Sequence, residues 1–173
     1  AISRTGTEIS ACNVQSSGTV AVMIRNLADC WVITLALQAK GYTTISISSL
    51  ESLESLQVKN LVALFVKVEE KDDALEHYDS VPVFALSKPS FEDADPLENA
   101  TFAEISEECG HILYTSGTTG NYKMYLLTAR TQQPRDHERS KYYHWDNNTK
   151  FHGLNFGLWT AIGYNLPPSV WSV

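Results

Sequence analysis

A chain of 173 residues that is 43% hydrophobic can bury one core of ordinary domain size. Its formal net charge of −7, from 13 Lys and Arg against 20 Asp and Glu, argues against nonspecific nucleic-acid binding, which needs a basic face, and disfavours attraction to anionic membranes. Cys12, Cys30 and Cys109 are odd in number, widely spaced and without a CxxC pair, the pattern of free thiols in a reducing compartment rather than of a metal site or disulfide.

Residues 1–18 are rich in Ser, Thr and Gly and read as an irregular lead-in. Residues 19–24, Thr-Val-Ala-Val-Met-Ile, are the short β-branched run of a buried strand. Asn26 is placed to cap the next helix, with Asp29 near its positive end. That helix carries Trp31, Leu35 and Leu37 to Lys40, and Gly41 stops it. Residues 43–47 are a second β-branched run. Strand, helix and strand at this spacing predict a βαβ unit with parallel strands and a right-handed crossover.

The unit repeats. Residues 50–60 read as a Ser/Glu/Leu helix, 61–66 as a third strand, 69–78 as a short acidic helix and 81–86 as a fourth strand. Pro82 forfeits a ladder hydrogen bond, which marks a strand start or a sheet edge. Residues 19–86 are thus βαβ repeats, and the fold class is α/β, a mostly parallel sheet flanked by helices in a single domain. Residues 87–102, with Pro89 and Pro96, read as a surface loop. No opening segment has the form of a leader and no apolar run approaches bilayer thickness, so a cytoplasmic location is expected.

The most specific stretch follows. His111, Ile112, Leu113 and Tyr114 lead as a strand into Thr115-Ser116-Gly117-Thr118-Thr119-Gly120, with Lys123 just beyond. Such a loop offers backbone N–H groups and hydroxyls to an anion, because glycine lets the backbone approach closely. Residues 123–127 look like a strand again, giving strand–loop–strand over 111–127. That differs from the GxxxxGK[ST] P-loop, where a helix follows, and from the GxGxxG dinucleotide fingerprint. Residues 128–146 are polar and basic, with Arg135, Arg139, Lys141 and His144, and are expected to break at Pro134. They read either as a solvated, partly helical connection or as a basic rim to an anion site. Phe151-His152-Gly153 precedes an apolar helix over 154–164, Pro167 and Pro168 end it, and residues 169–173 read as a terminal strand.

Residues 114–120, Tyr-Thr-Ser-Gly-Thr-Thr-Gly, are identical to the core of the YTSGTTGxPKG signature of the adenylate-forming superfamily. That family includes acyl-CoA synthetases, firefly luciferase and the adenylation domains of nonribosomal peptide synthetases. Residues 20–47 resemble its early strand–helix–strand segment, and Phe151-His152-Gly153 resembles its aromatic-His motif. The chain is similar to the N-terminal part of such an enzyme, shortened, and closest in character to fungal nonribosomal-synthetase-like and aryl-acid-activating members. The resemblance implies that Thr115, Ser116, Gly117, Thr118, Thr119 and Gly120, with Lys123, form the loop that holds the β- and γ-phosphates of ATP, a Mg²⁺ nucleotide. It further implies that His152 lies near the carboxylate pocket. The family's Pro and Gly beside the Lys are Tyr122 and Met124 here, and Met cannot adopt positive φ cheaply. The family's adenine-gripping segment, acidic metal ligand, ribose aspartate and lysine-bearing lid have no counterpart in these 173 residues. Activation of a carboxylate by this chain alone is therefore not expected.

Two functions of different class follow. One is a small-molecule-binding protein of secondary-metabolite biosynthesis, with Tyr114, Tyr122 and Phe151 in its pocket. His152 or His144 would then do acid–base chemistry such as cyclisation, isomerisation or dehydration, with Tyr142 and Tyr143 as further donors. The other is a fragment or non-catalytic remnant of an ATP-dependent acyl or aryl-acid ligase that acts through association. An uncovered apolar face seeks a partner, so a homodimer through residues 154–164 and the terminal strand is expected. No metal site is expected.

Overall fold

A computed structural model describes residues 9, 12, 14, 17–77, 81–86, 109–116, 122–152 and 156–172. The predicted surface loop over 87–102 and most of the lead-in lie outside the described residues.

Strand β1, Thr19–Met23, is buried along its whole length, as its unbroken apolar run requires of a central parallel strand. Helix α1, Leu27–Ala39, starts where the side chain of Asn26 accepts the Asp29 N–H at 3.0 Å. Gly41, at φ +87°, turns the chain out of it. Then come β2, Thr43–Ser46, and α2, Leu50–Leu56, which Ser49 caps by accepting the Ser52 N–H. Strand β3 is Leu61–Lys67. A 3₁₀ turn, Val68–Glu70, and α3, Lys71–His77, follow, and β4 is Val83–Leu86. Pro82 precedes β4, a strand at the sheet edge, and its carbonyl accepts from Leu64. The remaining elements are β5, Gly110–Ser116; β6, Tyr122–Thr128; α4, Ala129–Tyr142; and α5, Ala161–Trp171.

The six strands run in the order β4-β3-β1-β2-β5-β6. The first five pair in parallel, and β6 returns antiparallel to β5, from Gly110 opposite Thr128 to Ser116 opposite Tyr122. Alternate residues of β1 feed two cores. On one face Val20 and Val22 join Ile33, Leu37 and Leu158 from the α1 side. On the other, Ala21 and Met23 join Leu50, Leu53 and Leu56 of α2 and Ala74 of α3. Each such Leu or Val contributes about 1.5–3 kcal/mol by leaving water. The mostly parallel, two-sided α/β sheet is as expected.

Three expectations of the last third are overturned. Residues 128–142 do not break at Pro134, because α4 runs through it, begun by a reciprocal cap between Thr128 and Thr131. The apolar helix expected over 154–164 begins only at Ala161, where Thr160 accepts the Gly163 N–H at 3.0 Å. The terminal strand is absent, since α5 continues through Pro167 and Pro168 to Trp171. Packing overrides local propensity here. Arg139 donates to the Asn165 carbonyl and to Ser169 Oγ, both at 2.9 Å, and to Asp136 at 3.1 Å. Ser169 donates to Asp136 at 2.7 Å, and Ser140 to the Ser169 carbonyl at 2.8 Å. This polar cluster fastens α5 to α4 in a helical conformation.

Candidate functional site

The hairpin β5–β6 carries the loop sequence. Burial falls along β5 from fully buried His111 through half-buried Tyr114 to exposed Thr115, so the strand leaves the core as it approaches the tip. Ser116 and Tyr122, which flank the loop, lie at the carboxyl ends of the parallel strands, where ligands of open α/β sheets bind. The caps Asn26 and Ser49 open α1 and α2 at that same edge. Thr115 pairs with Lys123 across the ladder, both exposed, and Tyr114 meets Tyr122 edge to face, centroids 5.7 Å apart. Burial raises the Tyr114 hydroxyl above its ordinary pKa, and Ser48 offsets part of that. Ser48 lies near the hydroxyl, yet no hydrogen bond of ordinary geometry closes on it among the described residues.

The structure thus brings together Tyr114, Thr115, Tyr122 and Lys123, with Ser116 ending β5. Gly117, Thr118, Thr119 and Gly120 lie outside the described residues. His144 and His152 are both exposed. His144 follows α4 at φ +54°, next to the aromatic group of Tyr142, Tyr143 and Trp145. Phe151 is half-buried and lines an open groove of about 570 Å³ with Leu27, Trp31, Thr149, Pro167 and Trp171. Of the expected basic rim, Arg135 is exposed while Arg139 is turned inward to Asp136 and α5. Among the described residues no group of three or more His, Cys, Asp or Glu gathers to hold a metal ion, and no helix is long and apolar enough to cross a membrane.

Sequence reasoning missed His111. Its ring is fully buried and stacks on Tyr164 at 4.0 Å and 10°. The Leu158 carbonyl can only accept, so Nε2 carries the hydrogen and donates to it at 3.2 Å. Nδ1 then accepts from the Thr44 hydroxyl at 2.9 Å. Burial pushes the imidazole pKa down to about 3, with the Leu158 carbonyl opposing. His111 is a neutral crosslink. The one signal in the sequence is a His inside an otherwise apolar strand.

A second cavity, about 350 Å³, lies at the opposite end of the hairpin, between α1, α4, α5 and the paired Gly110 and Thr128. Trp31 and Tyr164 stack in its wall at 5.1 Å and 15°. A side chain at Gly110 would collide with the Leu127 carbonyl, so only glycine fits there. Trp31 and Gln132, 5% and 7% exposed, also line the cavity. The Trp31 indole N–H and the Gln132 Oε1 have no hydrogen-bond partner among the described residues. Each such unpaired buried group costs about 1–3 kcal/mol.

No family model and no curated protein matches this chain. Solved structures do. Apo MatB from Rhodopseudomonas palustris is 15% identical, with a TM-score of 0.72 over 98% of this chain and 36% of its own. O-succinylbenzoate coenzyme A synthetase (MenE) from Bacillus subtilis, in complex with AMP, is 17% identical, with a TM-score of 0.68 over 99% of this chain and 46% of its own. A putative long-chain-fatty-acid CoA ligase from Rhodopseudomonas palustris is 13% identical, with a TM-score of 0.73 over 98% and 46%. The chain therefore has the α/β fold of the N-terminal subdomain of acyl-CoA- and adenylate-forming ligases. It spans 36% to 46% of the length of these ligases.

Proposed function

We propose that this chain is a small-molecule-binding module of secondary-metabolite biosynthesis on an adenylate-forming-ligase scaffold, and that the 173 residues by themselves do not activate a carboxylate with ATP. One observation carries the reading. The hairpin that presents the YTSGTTG loop stands on a fold matched over 98% of this chain but over only 36% of a ligase such as MatB. Adenylation needs developing charge stabilised and water excluded, whereas Thr115 and Lys123 stand exposed beside the loop. The ligand lies beside Tyr114 and Tyr122, and His152 and His144 are the groups for acid–base work. ATP–pyrophosphate exchange with a panel of aryl and acyl carboxylates should stay at the blank; clear exchange by this chain alone would overturn the proposal. The acid–base part ends if His152→Ala and His144→Ala leave every measured conversion unchanged.

A second reading, a ligase-derived module that acts through association, is favoured by β6. From Tyr122 to Leu126 this outermost strand is exposed residue by residue, including Met124 and Tyr125. The outer strand is then a partner surface beside the segment expected over 154–173, where Ile162 and Trp171 are exposed as well.

A further inference from the structure

We propose that β6 is the seam of a two-fold homodimer. The outer strands of two copies pair antiparallel about an axis beside Met124, and two six-stranded sheets run on as one. The dimer rests on the association reading above, with a second copy of this chain as the partner.

The edge itself calls for a strand. Strand β6 pairs with β5 without a break from Tyr122 to Thr128 and ends the sheet order. On alternate residues its backbone N–H and C=O groups therefore point away from β5. No proline and no bulge interrupts it, and Lys123 is its one charged residue. Both of its faces are exposed over residues 122–126. Tyr122, Met124 and Leu126 project on the side of Ile112 and Tyr114, which pack against the α2 core. Lys123 and Tyr125 project on the other side, with Leu113 and Leu127.

Symmetry then selects the register. Residues directly opposite each other in an antiparallel pair share a face, so a two-fold axis perpendicular to the sheet passes beside a residue, not between two. An axis beside Met124, the centre of the exposed stretch, uses all of it. Moved back to Lys123, the axis sets two ammonium groups against each other. Moved on to Tyr125, it carries the pairing into buried Leu127 and to Thr128, where α4 begins. At Met124 the stretch is self-complementary. Tyr122 faces the partner's Leu126, Met124 faces the partner's Met124, and Lys123 faces the partner's Tyr125, whose ring suits a cation. The net charge of −7 makes two copies repel at a distance, yet β6 holds no acid to oppose its twin.

Cysteine crosslinking reads the register. A Cys12→Ser, Cys109→Ser background leaves only buried Cys30. In it, Met124→Cys should give a disulfide-linked dimer under mild oxidation, because opposite Cα atoms lie about 4.5–5.5 Å apart, within disulfide reach. Tyr122→Cys should not, since its twin would lie about 14 Å away, four residues along the strand. Tyr122→Cys combined with Leu126→Cys should link again. Tyr122→Cys linking as well as Met124→Cys, or a dimer in sedimentation that Met124→Cys does not link, overturns the seam and leaves association through another surface. A monomer in sedimentation overturns both. If the cysteine variants misfold by circular dichroism, amide exchange of the unaltered protein decides. Outward-facing β6 amides should gain protection as protein concentration rises, and amides that stay unprotected overturn the seam.

Discussion

Protonating His111 would place a cation among Thr44, the Leu158 carbonyl and the Tyr164 ring, wholly out of water. The unfolded chain takes up that proton near the ordinary His value of 6.5, the folded chain only near pH 3. Between those values the unfolded state holds more protons, so the stabilisation is complete above about pH 6.5 and is lost as pH falls toward 3. The slope is about 1.4 kcal/mol per pH unit for one group. Urea midpoints measured from pH 7 to pH 4 should fall steeply, and His111→Gln, which cannot titrate, should flatten that fall. Equal slopes in both proteins would remove His111 as the source. The residue was hard to read from the sequence because its partners stand 67 and 47 positions away. His144 and His152 drew the eye through their neighbours in the chain, yet both end on the surface.

Elements governed by local rules were legible: the Asn26 cap, the Gly41 exit and the Pro82 edge all stand where the sequence put them. The helices α4 and α5 were not, because three prolines argue against them and only tertiary contacts argue for them. Asp136, Arg139 and Ser140 meet Asn165, Ser169 and Ser172 across an interface that a window of sequence does not display. Pro134 gains nothing from that interface, being exposed inside α4 without an N–H to donate. Pro134→Ala should therefore stabilise the protein, by about 1–3 kcal/mol, read as a rise in thermal midpoint. A neutral or lower midpoint would mean that the ring supports the helix in some way its exposure does not suggest. The candidate site divides similarly: the loop was visible as a motif, while the cavity was not, since Trp31 and Gln132 meet only in the fold.

At the scale of the molecule the sheet has two unlike edges. Strand β4 is short, with Pro82 just before it, whereas β6 is seven residues long and carries exposed Tyr122, Met124, Tyr125 and Leu126. Long apolar edge strands pair with other strands unless charge or proline blunts them. Sedimentation velocity at micromolar concentration should show self-association, and Tyr125→Lys should restore the monomer. A clean monomer for the unaltered protein would set the association reading aside.

The strand order also has a consequence for time. Strands β1, β2 and β3 all fall within residues 19–67 and pair as β2-β1-β3, so their contacts close over short stretches of chain. Strand β5 must find β2 from the far side of β3, α3 and β4, its first register pair being Thr44 with His111. Loop-closure entropy makes that meeting the slower one. A half-folded chain would thus already hold the βαβ core while the hairpin was still seeking its place. The loop sequence and the floor of the cavity both ride on that hairpin, so both depend on its docking against β2.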